Sequence, residues 1–219
     1  MERAPASPRF LAGLGLVLAI FAVFSAVGCR YPQDFWLENV LVIAAVAYLW
    51  LTYAAAPLSR SNYVLILVFL GLHEIGAHTT FAEVPYNEWT QVLFGTPLND
   101  ILGWERNHYD RLVHLSYGLL ITLPLQETIE RRIGRLRGFA HGFIPWIFIL
   151  ATSSAYELIE WAAALVFGGN LGQAYLGTQG DVWDSHKDTG LAVLGATLVL
   201  GTQALLKSRG STQPQSDSR

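Results

Sequence analysis

Seven carboxylates and the histidines beside them recur at helical spacing, and that spacing is the first sign of chemistry in this sequence. Glu74 and His78, Asp110 and His114, and Asp184 and Asp188 stand four residues apart, and Glu157 and Glu160 stand three apart. On a helix each pair shares one face, a turn apart. His73, His108, Asp181 and His186 lie in the same stretches. Carboxylates and imidazoles one turn apart on several helices are a known way to build metal sites in bundles. Such ligands suit Zn, Mn or Fe; copper(I) would want sulfur, and the chain has one Cys and one Met. Against Glu74, Asp110, Glu157, Glu160, Asp181, Asp184 and Asp188 stand three fixed cations nearby, Arg106, Arg111 and Lys187. Protons or a metal ion must supply the missing positive charge.

The elements that position these residues are transmembrane helices. Of 219 residues, 52% are hydrophobic and 14% charged, well below the charge of an ordinary globular domain. Phe10–Gly28, Asn39–Ser59, Gly138–Tyr156 and Thr189–Leu206 contain no Asp, Glu, Lys or Arg. Each is about 18–21 residues, enough to cross the hydrocarbon core. Two further apolar segments carry their polar residues at their ends. The expected fold is therefore an all-α polytopic bundle of about six transmembrane helices, one domain over 1–207. Its spans fall near 10–28, 39–57, 61–81, 108–126, 138–165 and 187–207. The polar stretch 208–219 reads as a disordered cytoplasmic tail.

Orientation follows from Lys and Arg. With the amino terminus cytoplasmic, ten of the 14 lie inside, and Arg30, Arg106, Arg111 and Lys187 lie outside. Both termini are then cytoplasmic, and the Asp/Glu/His pairs gather at the outer ends of four helices. His141 sits at the other side. Arg3 and Arg9, an apolar run and Ala26-Val27-Gly28-Cys29 also fit a lipoprotein signal. That run exceeds the usual 7–15 residues of a signal core, so it is read as a retained span. The 79–107 segment is long enough to form a lid or to lie on the membrane surface.

Several function classes are excluded. A net charge of −3 without an extended basic patch argues against nucleic acid, and a lone Cys29 against a disulfide scaffold. The plainer reading of the acids is an ion-pair network that orients helices. Desolvating so many like charges is a poor route to stability, which favours a functional pocket. The seven Trp read mainly as interfacial aromatics.

The motifs HEIGAHTTFAEVPY, NHYDRLVHLSYG, YELIEW and GTQGDVWDSHKDT resemble those of the YjdF-type bacterial inner-membrane proteins, over about residues 35–205. A fainter similarity links Asp110-Arg111-Leu112-Val113-His114, Glu157 or Glu160, and the Asp184–Gly190 stretch to VanZ-like membrane proteins. Asp188 stands where that second family usually carries Asn, which adds negative charge and favours a cation. These resemblances imply the inner membrane and an envelope setting; they supply no reaction.

The resulting expectation is an outward-facing pocket binding a divalent metal through Asp110, His114, Glu157 and Asp184. Glu160, Asp188 and His78 are candidate bases or partners of the ligands, and Arg106 or Arg111 could clamp an anionic head group. The chemistry expected is metal-assisted hydrolysis or group transfer on a lipid-linked or envelope substrate. The alternatives are a proton- or cation-coupled transporter and a non-catalytic envelope scaffold.

Overall fold

The structure is a computed structural model that describes residues 5–167 and 177–211. Eight α-helices follow one another within those residues: α1 (Pro8–Ala26), α2 (Pro32–Thr52), α3 (Arg60–Thr79), α4 (Tyr86–Phe94), α5 (Leu98–Leu102), α6 (Tyr109–Ile133), α7 (Phe139–Phe167) and α8 (Asp184–Ser211). A 3₁₀ turn, Phe81–Glu83, joins α3 to α4. The chain is an all-α membrane protein. By length and composition α1, α2, α7 and α8 can cross a membrane, and α3 with the Phe81–Phe94 stretch, bent by 79°, passes the same test as a pair, as a broken span or a re-entrant loop. Helix α6 is as long but more polar, with charge at both ends and His114, Ser116, Thr122 and Gln126 between them. Phe24, Trp50, Leu165 and Leu206 are exposed on outer faces, where lipid replaces water.

The helix bounds differ from the sequence expectation where charge turns inward. Helix α2 starts at Pro32, not near 39, because Pro at the first position and Asp34 in the first turn make a good helix start. Asp34 and Glu38 are then buried in the bundle. Helix α6 runs on through its basic end to Ile133 and stops at Gly134, whose φ of 99° belongs to glycine. Helix α8 continues to Ser211 with Arg209 in its last turn, favourable at a helix carboxyl end. Residues 208–211, expected in the tail, are thus helical, and the rest of that stretch, 212–219, lies outside the described residues. The 79–107 segment is largely helical, as α4 and α5.

Helix α6 is the axis. It packs against α3 on one side and against α7 and α8 on the other, and α1 and α2 pack on α3. The α6–α8 contact is the closest: a Cβ on Gly118 would meet the Ala192 carbonyl oxygen at 1.9 Å, and one on Gly195 the Leu115 oxygen at 2.6 Å. Small residues let the two backbones approach, as membrane helix pairs often do. Ala192 and Ala196, with Ile149 of α7, complete a buried seam there. This seam sets the depth at which Asp110 and His114 of α6 face Asp188 of α8.

Candidate functional site

The acidic site forms where the carboxyl ends of α3 and α7 meet the amino ends of α6 and α8. Tyr109 fixes the start of α6, its hydroxyl donating to the Leu72 carbonyl of α3 at 2.8 Å. After α3 the backbone turns at Thr80, a β-branched residue held at φ 74°. Phe81 then folds back on Gly76, where a Cβ would meet its ring at 2.3 Å. Phe81, Val84, Tyr86, Tyr109 and Val113 form the buried apolar cap over this end.

Beneath the cap, Asp110, His114 and Asp188 each offer a ligand atom within 4.8 Å of the other two. Nε2 of His114 stands 3.5 Å from Asp110 Oδ1 and 3.3 Å from Glu157 Oε1. Two ligands at about 2.1 Å from a tetrahedral ion lie about 3.4 Å apart. Glu157 Oε1 and Asp188 Oδ1 are buried without a hydrogen-bond partner, and orphaned buried oxygens of this kind call for a proton or cation. Glu160 is buried one turn from Glu157, and their side chains interact.

Asp184 goes elsewhere. Its carboxylate takes Arg106 at 2.7 Å and Arg111 at 3.3 Å. Asp181 takes Arg111 and Lys187. These ion pairs clip the start of α8 to the start of α6. Arg106 also donates to the Thr178 and Gly177 carbonyls, and Asn107 and Gln179 exchange hydrogen bonds. The Lys187 ammonium, the Trp183 amide and Arg111 hold the Asp181 carboxyl at about 2, below its ordinary 3.8. Burial, then the Arg111 and Arg106 cations, push His108 below its usual range. Both arginines are thus engaged by protein carboxylates rather than turned free toward a head group.

Beside the cluster lies a cavity of about 350 Å³ between α2, α3, α6 and α7. His73, Asp110, His114 and Tyr156 face it at the acidic end, and its remaining wall is mainly apolar.

Residues 10–209 match the family described as "Predicted membrane protein (DUF2238)". The Inner membrane protein YjdF of Escherichia coli (strain K12) is 32% identical over 189 residues, 86% of each chain. The chain belongs to the DUF2238 family. No solved structure matches it. The VanZ-like resemblance is not shown by these comparisons.

In this DUF2238 protein the remaining candidates are dispersed around the centre. His73 lines the cavity, 4.0 Å from the Glu38 carboxylate. Glu74 is buried toward α1 and α2, near Ser25 and Asn39. His78, a candidate base, is instead held by the Ser25 carbonyl at 2.8 Å, at the end of α1. His108 packs against Trp104, the rings tilted by 44° with centroids 4.3 Å apart, and the exposed His186 lies by Trp183. Glu38 is a further carboxylate at this end, one that the sequence motifs do not single out. It is buried and accepts the Tyr156 hydroxyl at 2.8 Å, next to the cluster. The signal is present in the sequence, since Asp34 and Glu38 are themselves four residues apart, just before the charge-free run.

Proposed function

We propose that this family member carries a divalent-metal centre at the acidic end of a six-span bundle with both termini cytoplasmic, so that the centre faces outward. The ligands are Asp110, His114 and Asp188, with Glu157 as the fourth group against His114. The observation that supports this most is the gathering of three ligand atoms within 4.8 Å, next to buried oxygens that no hydrogen bond satisfies. Zn, Mn or Fe would fit the donor set. Such an ion would supply Lewis acidity and a more acidic bound water. The protein's own groups would orient the reactants: Glu160 stands beside the ligands as the candidate base, and Glu38 with Tyr156 closes the cavity side. The chemistry we infer is hydrolysis or group transfer on a lipid-linked envelope substrate, reached from the membrane.

The Arg106–Asp184 pair separates this reading from a general acidic patch. Asp188→Asn and His114→Ala should each lower the metal content of detergent-purified protein, because losing one ligand weakens a site of few ligands. Asp184→Asn should leave it near the wild-type value, since that carboxylate is bound to arginine. Elemental analysis of the three variants checks this; equal metal in all three would refute the ligand set.

A further inference from the structure

The cavity beside the cluster has an open side, and the burial of its walls shows which. Wall residues from α3 and α6 are buried, as Leu70 and Val113, or half-buried, as Phe69 and Tyr117. The exposed ones, Ala45, Thr152, Ala155 and Ile159, all belong to α2 or α7. Helix α2 packs on α3 and scarcely touches α7. The Tyr156–Glu38 hydrogen bond ties the pair at the acidic end. The cavity therefore opens sideways between α2 and α7, along the apolar flank of the bundle.

Three observations decide what can enter. The opening lies between two helices apolar enough to cross a membrane, so its surroundings are hydrocarbon and not water. Tyr117, Thr152 and Ser153 aside, the wall is apolar except toward the acidic end at Asp110 and His114, which matches a molecule with one polar end. The volume, about 350 Å³, stands at the low end of ligand pockets, which run from roughly 300 to 1,000 Å³; that is room for a single chain. Phospholipid acyl chains are the material on the far side of the opening and are present there at the highest concentration, which favours their occupancy by mass action.

We propose that this cavity takes one acyl chain of a membrane phospholipid, entering between α2 and α7 with its head-group end toward Asp110 and His114. The proposal deepens the metal-centre reading and rests on it for the meaning of the polar end. The Tyr156–Glu38 bond is then the clasp beside which the polar end passes.

The test uses the full-length protein in vesicles of phosphatidylethanolamine and phosphatidylglycerol. A small share of phosphatidylcholine carries a diazirine midway along one acyl chain. After irradiation, label should appear on Leu70 and Val113, the buried walls, as well as on Trp50 and Leu158, which face outward and meet any bilayer chain. Ala155→Trp narrows the opening and should remove the inner-wall label while leaving the outer label unchanged. Label confined to Trp50 and Leu158 in the wild-type protein would overturn the proposal. So would inner label that persists undiminished in a folded Ala155→Trp variant, since the chain would then enter elsewhere. An added isoprenyl phosphate that displaces the inner label at a small fraction of the phospholipid concentration would overturn the acyl assignment in favour of an isoprenyl chain. Metal content measured on the same samples keeps the two readings apart. Inner label without metal leaves the chain pocket standing and removes the metal centre alone; metal without inner label does the reverse.

Discussion

The two ends of this bundle treat carboxylates in opposite ways. At the basic end, Glu127 of α6 accepts the Ser59 amide at 3.0 Å and its hydroxyl at 2.8 Å, the Asn62 amide, and the Arg131 guanidinium at 2.6 Å. Glu130 has His141 at 3.1 Å, and Lys207 reaches the same imidazole at 2.6 Å. Each acid there has its cation or hydrogen bonds, and the arrangement staples α3, α6, α7 and α8 together. At the other end, Glu38, Asp110, Glu157, Glu160 and Asp188 are packed under a cap with His73 and His114 as their nearest imidazoles. The three cations nearby are drawn to Asp181 and Asp184. Satisfied polar networks hold a fold, whereas partly satisfied ones are costly. An end that gathers acids and diverts its arginines from them is the end that the proposed cation would complete.

The largest effect expected from breaking this contrast is at the clip. Arg106→Ala leaves Asp184, whose side chain is 4% exposed, with Arg111 alone. Leaving a buried charge without its partner costs about 3–5 kcal/mol, of which Arg111 offsets only a part, so this variant should show the greatest loss of melting temperature. Wild-type-like melting would mean that the clip does not hold α6 to α8.

A matched pair of substitutions sharpens the contrast at intermediate size. Glu127→Gln removes the charge that Arg131 and the Ser59 amide meet, and charged hydrogen bonds are worth about 1–3 kcal/mol each. Its melting temperature should fall. Glu160→Gln relieves like-charge repulsion and should melt at or above the wild-type temperature. If Glu160 is the base, that same variant should nevertheless fail to complement a deletion strain under envelope stress, at normal membrane abundance. Equal destabilisation by the two variants would erase the distinction between the ends.

The smallest effect concerns pH. The Asp181 carboxyl is held at about 2 against an ordinary 3.8. A depressed carboxyl favours the folded state at every pH above its unfolded value and loses that contribution as pH falls through the folded one. The clip should therefore be unchanged down to about pH 4 and weaken between there and 2. Asp181→Asn should abolish that acid-dependent part of the melting curve, and a persisting one would assign it to another group.

Much of this was legible in the sequence. Four charge-free runs mark α1, α2, α7 and α8, and the pairs Asp110/His114 and Glu157/Glu160 mark the acidic end, because helical spacing alone puts them on shared faces. What was not legible depends on tertiary packing. Asp184 and Asp188 share a face and a charge, and only the position of Arg106 and Arg111 decides which becomes an ion-pair partner and which faces His114. Glu38 lay at the edge of an apolar run, and nothing local distinguishes a carboxylate at the membrane surface from one turned into the bundle. The cap over the site depends on Gly76 yielding space to Phe81, a contact set by the turn at Thr80.

The central claim is that a cation completes the acidic end, and melting in chelator tests it most directly. Purified wild-type protein should melt lower after metal removal and recover when Zn, Mn or Fe is returned. A ligand at about a hundredfold over its dissociation constant stabilises by about 2.7 kcal/mol, which for a chain of this size is a shift of roughly 5–10 °C. Protein that carries no divalent metal and melts identically with and without chelator would contradict the claim.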